Sequence, residues 1–145
     1  MNAARPDVAV ARRLAEYPVY RIAPTDSNRF AIVSDPVSDG VSFITVIEIF
    51  DVGGATPPNT HRAADELFLV LHGEGLARCD GREFAVAAGD SFLVRAGAEH
   101  VVINTGSTRL YCLTTMVPDE DFAALVRGGQ PERLDDEDRR VLARI

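Results

Sequence analysis

The chain has 145 residues, of which 46% are hydrophobic, and its acidic residues outnumber its basic residues by 22 to 15. A formal charge of −7 argues against binding to nucleic acid or to an anionic membrane surface. No apolar run approaches the ~18 residues that span a bilayer, and the N-terminus lacks the apolar core of a secretory signal. We therefore expect a single domain located in the cytoplasm.

The first part of the chain, residues 1–40, predicts an N-terminal arm of helix and strand. Apolar positions at helical spacing indicate a short helix over 8–16. Strand-like segments are expected at 19–23 and 29–33. The stretch 34–40, rich in Asp, Ser, Pro and Gly, predicts a turn.

The strongest strand signal is the segment VSFITVIEIF, residues 41–50, which is dense in β-branched and aromatic residues. Its nearly continuous apolarity predicts burial on both faces. Glu48 is the exception, and strand alternation places it on the same face as Val46 and Phe50. Two interpretations of Glu48 stay open: a carboxylate at a rim or subunit contact, or an acid that lines a functional site.

Short strands then follow at intervals of about ten residues, with turns between them, up to a last strand over 109–117. The dipeptide Asp80-Gly81 lies between two strand-like runs and is a strong hairpin signal. This pattern predicts an antiparallel all-β sandwich or barrel over residues 41–117.

The end of the chain, residues 118–145, predicts a helical tail. One helix is expected over 119–126, and a second begins near Asp135 with acidic residues at its positive end. We expect the tail to pack on the β core or on a partner subunit through four apolar residues: Leu134, Val141, Leu142 and Ile145.

The polar residues that a fold does not require are concentrated between Pro57 and Gly73. Asn59 and His61 are two residues apart, so they would share one face of a strand. Glu66 has the wrong parity to join them, and a bend or bulge within 62–65 would restore its direction.

His100 begins a second apolar strand and completes a set of two imidazoles and one carboxylate. Such a set suits Fe(II), Mn or Zn, and with open positions it is the facial triad of non-heme iron oxygenases. His72 lies about 20 Å beyond Glu66 along an extended strand, so we interpret it as a strand-end residue outside the site.

These residues resemble the two motifs of the cupin superfamily. The first motif, G-x5-H-x-H-x3/4-E-x6-G, matches at Gly53, His61, Glu66 and Gly73. The second motif, G-x5-P-x-G-x2-H-x3-N, matches at Gly89, Gly97, His100 and Asn104.

The resemblance implies an all-β fold, an antiparallel jelly-roll (cupin) barrel with short helices at the N- and C-termini. It implies a divalent metal ion in the barrel mouth, held by His61, Glu66 and His100, with Fe2+ favoured and Mn2+, Ni2+ or Zn2+ as alternatives. It also implies a homodimer. Strand alternation places Phe68 and Val70 on the face of Glu66, and it places Val102 and Asn104 on the face of His100. These four residues are expected to line the substrate site together with Asn59 and Arg95.

The sequence departs from the cupin pattern at two positions. Asn59 replaces the first histidine, and it could ligate the metal, hydrogen-bond a metal-bound water or line the pocket. Arg95 replaces the proline, and it could clamp an anionic substrate or face solvent from a loop. A metal-free cupin whose His61, Glu66 and His100 only hydrogen-bond one another is a further alternative.

The preferred function is a metal-dependent enzyme of dioxygenase type that acts on a chelating enol, diketone or aromatic substrate. Glu66 is the candidate catalytic residue, because a ligand that leaves the metal can act as a base. Isomerase, lyase or cyclase chemistry could use the same site. The alternative from another class is a non-catalytic cupin that binds or senses a small metabolite.

Overall fold

The computed structural model describes residues 8–145, which form ten β-strands and a few short helices. The strands are β1 (Val19–Arg21), β2 (Asn28–Ser34), β3 (Ile44–Phe50), β4 (Asp65–His72), β5 (Glu74–Cys79), β6 (Arg82–Ala87), β7 (Ser91–Val94), β8 (His100–Asn104), β9 (Leu110–Val117) and β10 (Gln130–Glu132). The helices are a 3-10 turn (Leu14–Glu16), α1 (Pro36–Asp39), α2 (Phe122–Arg127) and α3 (Asp136–Leu142).

The strands form two antiparallel sheets. The large sheet has the order β10-β1-β2-β3-β9-β4-β7, and the small sheet has the order β6-β5-β8. Strand β9 lies between β3 and β4 and pairs with both, so β3 and β4 are consecutive in the chain but not adjacent in the sheet. Connections of this kind are typical of a jelly roll. The predicted antiparallel jelly-roll fold is confirmed.

One face of the large sheet points into the barrel and is largely apolar. Phe50, Phe68, Val70 and Leu110 are at most 2% exposed and form the core between the sheets. Successive residues of β3 point alternately into the barrel and outward, and Ile49 packs on the outer side beneath the tail. Both faces of β3 are therefore buried, which explains why both are apolar.

The N-terminal arm differs from its predicted form. The helix expected over 8–16 is reduced to the 3-10 turn, and residues 1–7 lie outside the described part of the chain. An isolated helix of this length is marginal in water. Instead, Arg12 pairs with Asp39 and donates to the Val33 carbonyl, which ties the segment to the sheet in an irregular conformation. Both β1 and β2 continue the large sheet, so the arm is part of the barrel wall.

The C-terminal tail is fastened to the outer face of the sheet by an apolar contact and a buried ion pair. Leu134, Val141 and Leu142 pack there as expected, whereas Ile145 is 62% exposed. Asp138 is fully buried and accepts two hydrogen bonds from Arg29, at 2.7 and 3.0 Å. None of the helices within residues 8–145 is long and apolar enough to cross a membrane.

Candidate metal centre

The segment before β4 runs antiparallel to β8 and places Asn59 beside His100. The Asn59 N–H donates to the His100 carbonyl at 3.1 Å, and the His100 N–H donates to the Asn59 carbonyl at 2.9 Å. Pro57 and Pro58 have no N–H to donate, so the pairing is interrupted and does not extend into a strand.

The expected bend between His61 and β4 is present at Arg62 and Ala63. The Glu120 carboxylate fixes this bend by accepting the backbone N–H groups of Arg62 at 3.1 Å and Ala63 at 2.7 Å. Glu120 itself has a φ of +54°, a left-handed conformation that residues other than glycine rarely adopt. Where such residues occur, they are often found near functional sites. These hydrogen bonds to Glu120 fix the loop that directly follows His61.

Three buried side chains converge at this point of the barrel. Glu66 Oε2 lies 2.8 Å from His61 Nε2 and 3.0 Å from His100 Nε2. The candidate ligand atoms of all three residues lie within 4.8 Å of one another. Their residues are 8%, 5% and 5% exposed, in chain order. The bend brings Glu66 into the site as the sequence required.

The outer nitrogen of His100 is occupied, because Nδ1 lies 3.2 Å from the Ala98 carbonyl and donates its proton there. In a neutral imidazole, Nε2 then presents a lone pair to the Glu66 carboxylate. Two electron-pair donors at 3.0 Å repel each other unless a cation lies between them, either a proton or a metal ion.

The ionisation of Glu66 and His100 reflects that requirement. Burial opposes ionisation of Glu66, but hydrogen bonds from His100 and His61 hold its pKa below the ordinary value. Burial also opposes the charged form of His100, and its contacts with Glu66 outweigh this effect and raise its pKa. Both shifts favour the charged pair of a Glu66 carboxylate and a His100 imidazolium, whose proton a bound metal ion would displace.

The donor set also fits a metal in its spacing. Nitrogen and oxygen ligands bind a divalent ion at about 2.1 Å, so the ligand atoms of one ion cannot lie much more than about 4 Å from one another. Glu66 lies 2.8 and 3.0 Å from the two histidines, and all three candidate ligand atoms lie within 4.8 Å of one another, close enough for one ion to reach all three. Two imidazoles and one carboxylate suit Fe(II), Mn and Zn, so the residues present fit the implied divalent ion.

A cavity of about 180 Å3 adjoins these ligands. Glu66 and His100 form part of its wall, and Phe30, Phe68 and Phe122 supply much of the apolar lining. Phe122 comes from α2 and packs edge-on against Phe30, with ring centroids 5.6 Å apart. The C-terminal tail thus contributes to the site, a role that its sequence did not indicate.

Residues 46–116, which contain all three candidate ligands, match the family described as Cupin domain. The chain is a cupin-domain protein.

Two curated relatives match parts of this cupin. An uncharacterized protein of Methanocaldococcus jannaschii is 30% identical over 70 residues, which cover 48% of this chain and 56% of that protein. An oxalate-binding protein of Thermotoga maritima is 29% identical over 65 residues, which cover 45% of this chain and 54% of that protein. The chain thus spans about half the length of the curated relatives it matches.

Among solved structures, a predicted oxalate decarboxylase from Thermotoga maritima superposes with a TM-score of 0.67. The match covers 75% of this chain and 99% of that one, at 21% sequence identity. At that identity the likeness concerns the fold.

The cupin places five predicted site residues together. Asn59 and Phe68 line the cavity along with Glu66 and His100, and His61 completes the ligand set. The Asn59 amide nitrogen faces His61 Nε2 at 3.4 Å, so metal ligation through Oδ1 requires rotation of the amide by half a turn.

Four other predicted lining residues lie elsewhere. Val70 and Val102 are 1% exposed and belong to the core between the sheets. Arg95 is an exposed loop residue. The Asn104 amide donates to three backbone carbonyls, including those of Asp51 at 3.0 Å and Thr108 at 2.9 Å, and so fixes two turns. Strand parity gave the correct inward face for the valines but not their depth in the barrel.

His72 lies at the end of β4, where its ring packs edge-on against Tyr111 at 5.9 Å. It is outside the cluster of candidate ligands, in agreement with its interpretation as a strand-end residue.

Proposed function

We propose that this cupin is a metal-dependent enzyme in which His61, Glu66 and His100 hold a divalent ion, with Fe2+ favoured. The observation that carries the proposal is the convergence of three buried ligand atoms within 4.8 Å, with His100 Nδ1 already bound to a carbonyl. A fold has no need to bury these groups together, since apolar residues would stabilise the barrel at least as well.

The proposed reaction is an oxidation of dioxygenase type on a small chelating enol or diketone. The metal would supply a Lewis acid and positions for the substrate and O2. The chain would bind and orient the substrate against Phe68, exclude water with the apolar wall, and place the Asn59 amide beside the ligands.

The size of the cavity limits the substrate. Sites for drug-sized ligands measure about 300–1,000 Å3, and this cavity has about 180 Å3. We therefore infer a substrate smaller than a typical drug, and an aromatic substrate of this size would be a single small ring.

A second candidate is O2-independent binding or conversion of a small dicarboxylate in the same site. Two observations favour it: the matched Thermotoga maritima relative is named an oxalate-binding protein, and the cavity suits a ligand of that size. Isomerase, lyase and cyclase reactions belong to this O2-independent class as well.

Oxygen uptake separates the candidates. Protein loaded anaerobically with Fe2+ would be mixed with pentane-2,4-dione in one cell and oxalate in another, with an oxygen electrode as the detector. We expect uptake with the diketone that is lost in Glu66→Gln. If the protein consumes no O2 with either substrate but binds oxalate tightly, the second candidate would replace the dioxygenase assignment. If the protein binds oxalate or the diketone but converts neither, it would be the non-catalytic cupin that binds or senses a small metabolite.

We also propose a homodimer. Leu67 on β4 and Leu93 on β7 are direct cross-strand neighbours, and each is nearly half exposed, at 47% and 46%. Leu69 and Val117 extend this apolar area on the outer face of the sheet. Contiguous apolar surface of this kind marks interaction sites, and a second copy can cover it across a two-fold axis.

A further inference from the structure

Glu48 is a second buried carboxyl group in the barrel, and it is not a member of the ligand set. It lies on β3 with Phe30 and Cys112 as its cross-strand neighbours on β2 and β9. The residue is 3% exposed. Glu48 therefore faces the interior on a row that is otherwise apolar.

The partners of Glu48 satisfy only one of its two oxygens. Asn28 Nδ2 donates to Oε2 at 2.7 Å. Within residues 8–145, no positively charged side chain forms an ion pair with Glu48, and no hydrogen bond to Oε1 is formed. The large majority of buried polar atoms have a hydrogen-bond partner, and an apolar residue would stabilise the barrel at least as well as a half-satisfied carboxyl group.

Glu48 and Asn28 line the same cavity as the ligands Glu66 and His100. The unbonded oxygen of Glu48 is not among the solvent-inaccessible, unpartnered polar atoms of residues 8–145, so it keeps contact with this space. A small ligand in a volume of about 180 Å3 thus meets both the metal ligands and Glu48.

The environment keeps Glu48 protonated. Burial raises its pKa to about 8, the negative charge of Glu66 acts in the same direction, and the hydrogen bond from Asn28 opposes them. The other titratable groups around it are Asp26 and His100 at the cavity and Cys112 across the sheet, where burial raises the thiol pKa. Because Oε2 accepts from Asn28, the carboxyl proton belongs on Oε1 and is available to a ligand.

We propose that Glu48 is a substrate-binding residue that donates a hydrogen bond from its carboxyl O–H to an anionic oxygen of the substrate. This inference rests on the proposed function, because the other end of the substrate would bind the metal held by the triad. It narrows the substrate class to small anions with oxygen at both ends, such as dicarboxylates or the enolates of diketones. Asn28 is the positioning residue that holds the carboxyl group in place.

The test is a binding experiment with oxalate as the probe. Wild type, Glu48→Met and Glu48→Gln would be loaded with Mn2+ and titrated calorimetrically at pH 6.5, and metal retention would be measured after each titration. Methionine keeps the length and removes the donor, whereas glutamine keeps an N–H donor. We expect about 10- to 100-fold weaker binding for Glu48→Met and a change below about threefold for Glu48→Gln. Glu83→Gln, at an exposed position on β6, is the matched control and should bind as wild type.

A second measurement needs neither metal nor ligand. A 13C NMR titration of the metal-free protein should show the Glu48 carboxyl signal changing with a midpoint near pH 8, and Glu48→Gln identifies that signal. If Glu48→Met does not fold, Glu48→Leu replaces it in the calorimetric titration with oxalate.

The outcomes separate this inference from the proposed function. Equal oxalate affinity in wild type and a folded apolar variant would overturn the role of Glu48 while the metal site stands. Wild type that holds Mn2+ but binds neither oxalate nor pentane-2,4-dione in the same titration would overturn the anionic substrate class. Wild type that holds no metal would overturn the proposed function and this inference with it.

Discussion

The buried carboxyl of Glu48 predicts an unusual dependence of stability on pH. Its pKa is about 8 in the folded barrel, whereas an exposed glutamate has 4.5. The folded protein thus retains this proton up to about pH 8, but the unfolded chain releases it near pH 4.5. Between these values the unfolded state binds fewer protons than the native state, so the free energy of unfolding falls as pH rises.

The size of the effect follows from the two pKa values. The full difference corresponds to about 5 kcal/mol above pH 8, and about 3 kcal/mol of it has already been lost at pH 7. Glu48→Gln is neutral at every pH and keeps the shape of the protonated acid. Its stability should resemble that of wild type near pH 4.5 and exceed it increasingly towards pH 9.

Urea denaturation of the metal-free proteins at pH 5, 7 and 9 measures this difference. Glu83→Gln makes the same substitution at an exposed position, in a residue that pairs with the exposed Arg78, and serves as the control. Titrating groups that do not interact with Glu48 are common to the variants, so their contributions cancel when the free energies of unfolding are subtracted. A difference between Glu48→Gln and wild type that stays constant over this range would refute the reasoning, because the carboxyl group would then ionise alike in both states.

Three further predictions concern the tail, the core and the outer face. In urea denaturation, Asp138→Asn should lower the free energy of unfolding by about 3–5 kcal/mol, because the buried guanidinium of Arg29 loses its charged partner. The control Asp136→Asn, at the exposed start of α3, should change it by less than about 0.5 kcal/mol. Thr114→Val should raise stability by about 1 kcal/mol, since this buried hydroxyl has no partner within residues 8–145, whereas Thr115→Val removes a hydrogen bond and should lower it. Leu67→Glu should convert a dimer into a monomer in sedimentation velocity.

Each of these predictions has a contrary outcome. Equal destabilisation by both aspartate variants would mean that the buried ion pair does not hold the tail. A loss of stability in Thr114→Val would show that its hydroxyl is bonded in solution. Wild type that sediments as a monomer at all concentrations would contradict the proposed dimer.

The jelly-roll fold and the triad were accessible from sequence because their signals are local. Strand alternation, turn residues and motif spacing pointed to His61, Glu66 and His100, and the bend that the parity of Glu66 required is present. The depth of a residue along the barrel is not a local property. Val102 therefore faces inward as expected and yet belongs to the core.

The residues that sequence reasoning left unassigned act through contacts between distant segments. Asn28 meets Glu48 only because β2 pairs with β3, and Glu120 reaches the loop of His61 from beyond the last barrel strand. A single acidic residue within the apolar segment 41–50 was the one available signal for Glu48. The sequence allowed both a rim and a cavity position for it, and the cross-strand register selects the cavity. The cytoplasmic location stays a prediction.

Metal analysis shows whether His61, Glu66 and His100 hold a divalent metal ion, as we propose. Protein purified without chelator would be analysed by mass spectrometry of the elements, beside His100→Ala and the strand-end control His72→Ala. We expect close to one equivalent of Fe, Mn, Ni or Zn in wild type and His72→Ala, and its loss in His100→Ala. Folded wild-type protein that contains no metal and takes up none on titration would contradict the proposed metal site.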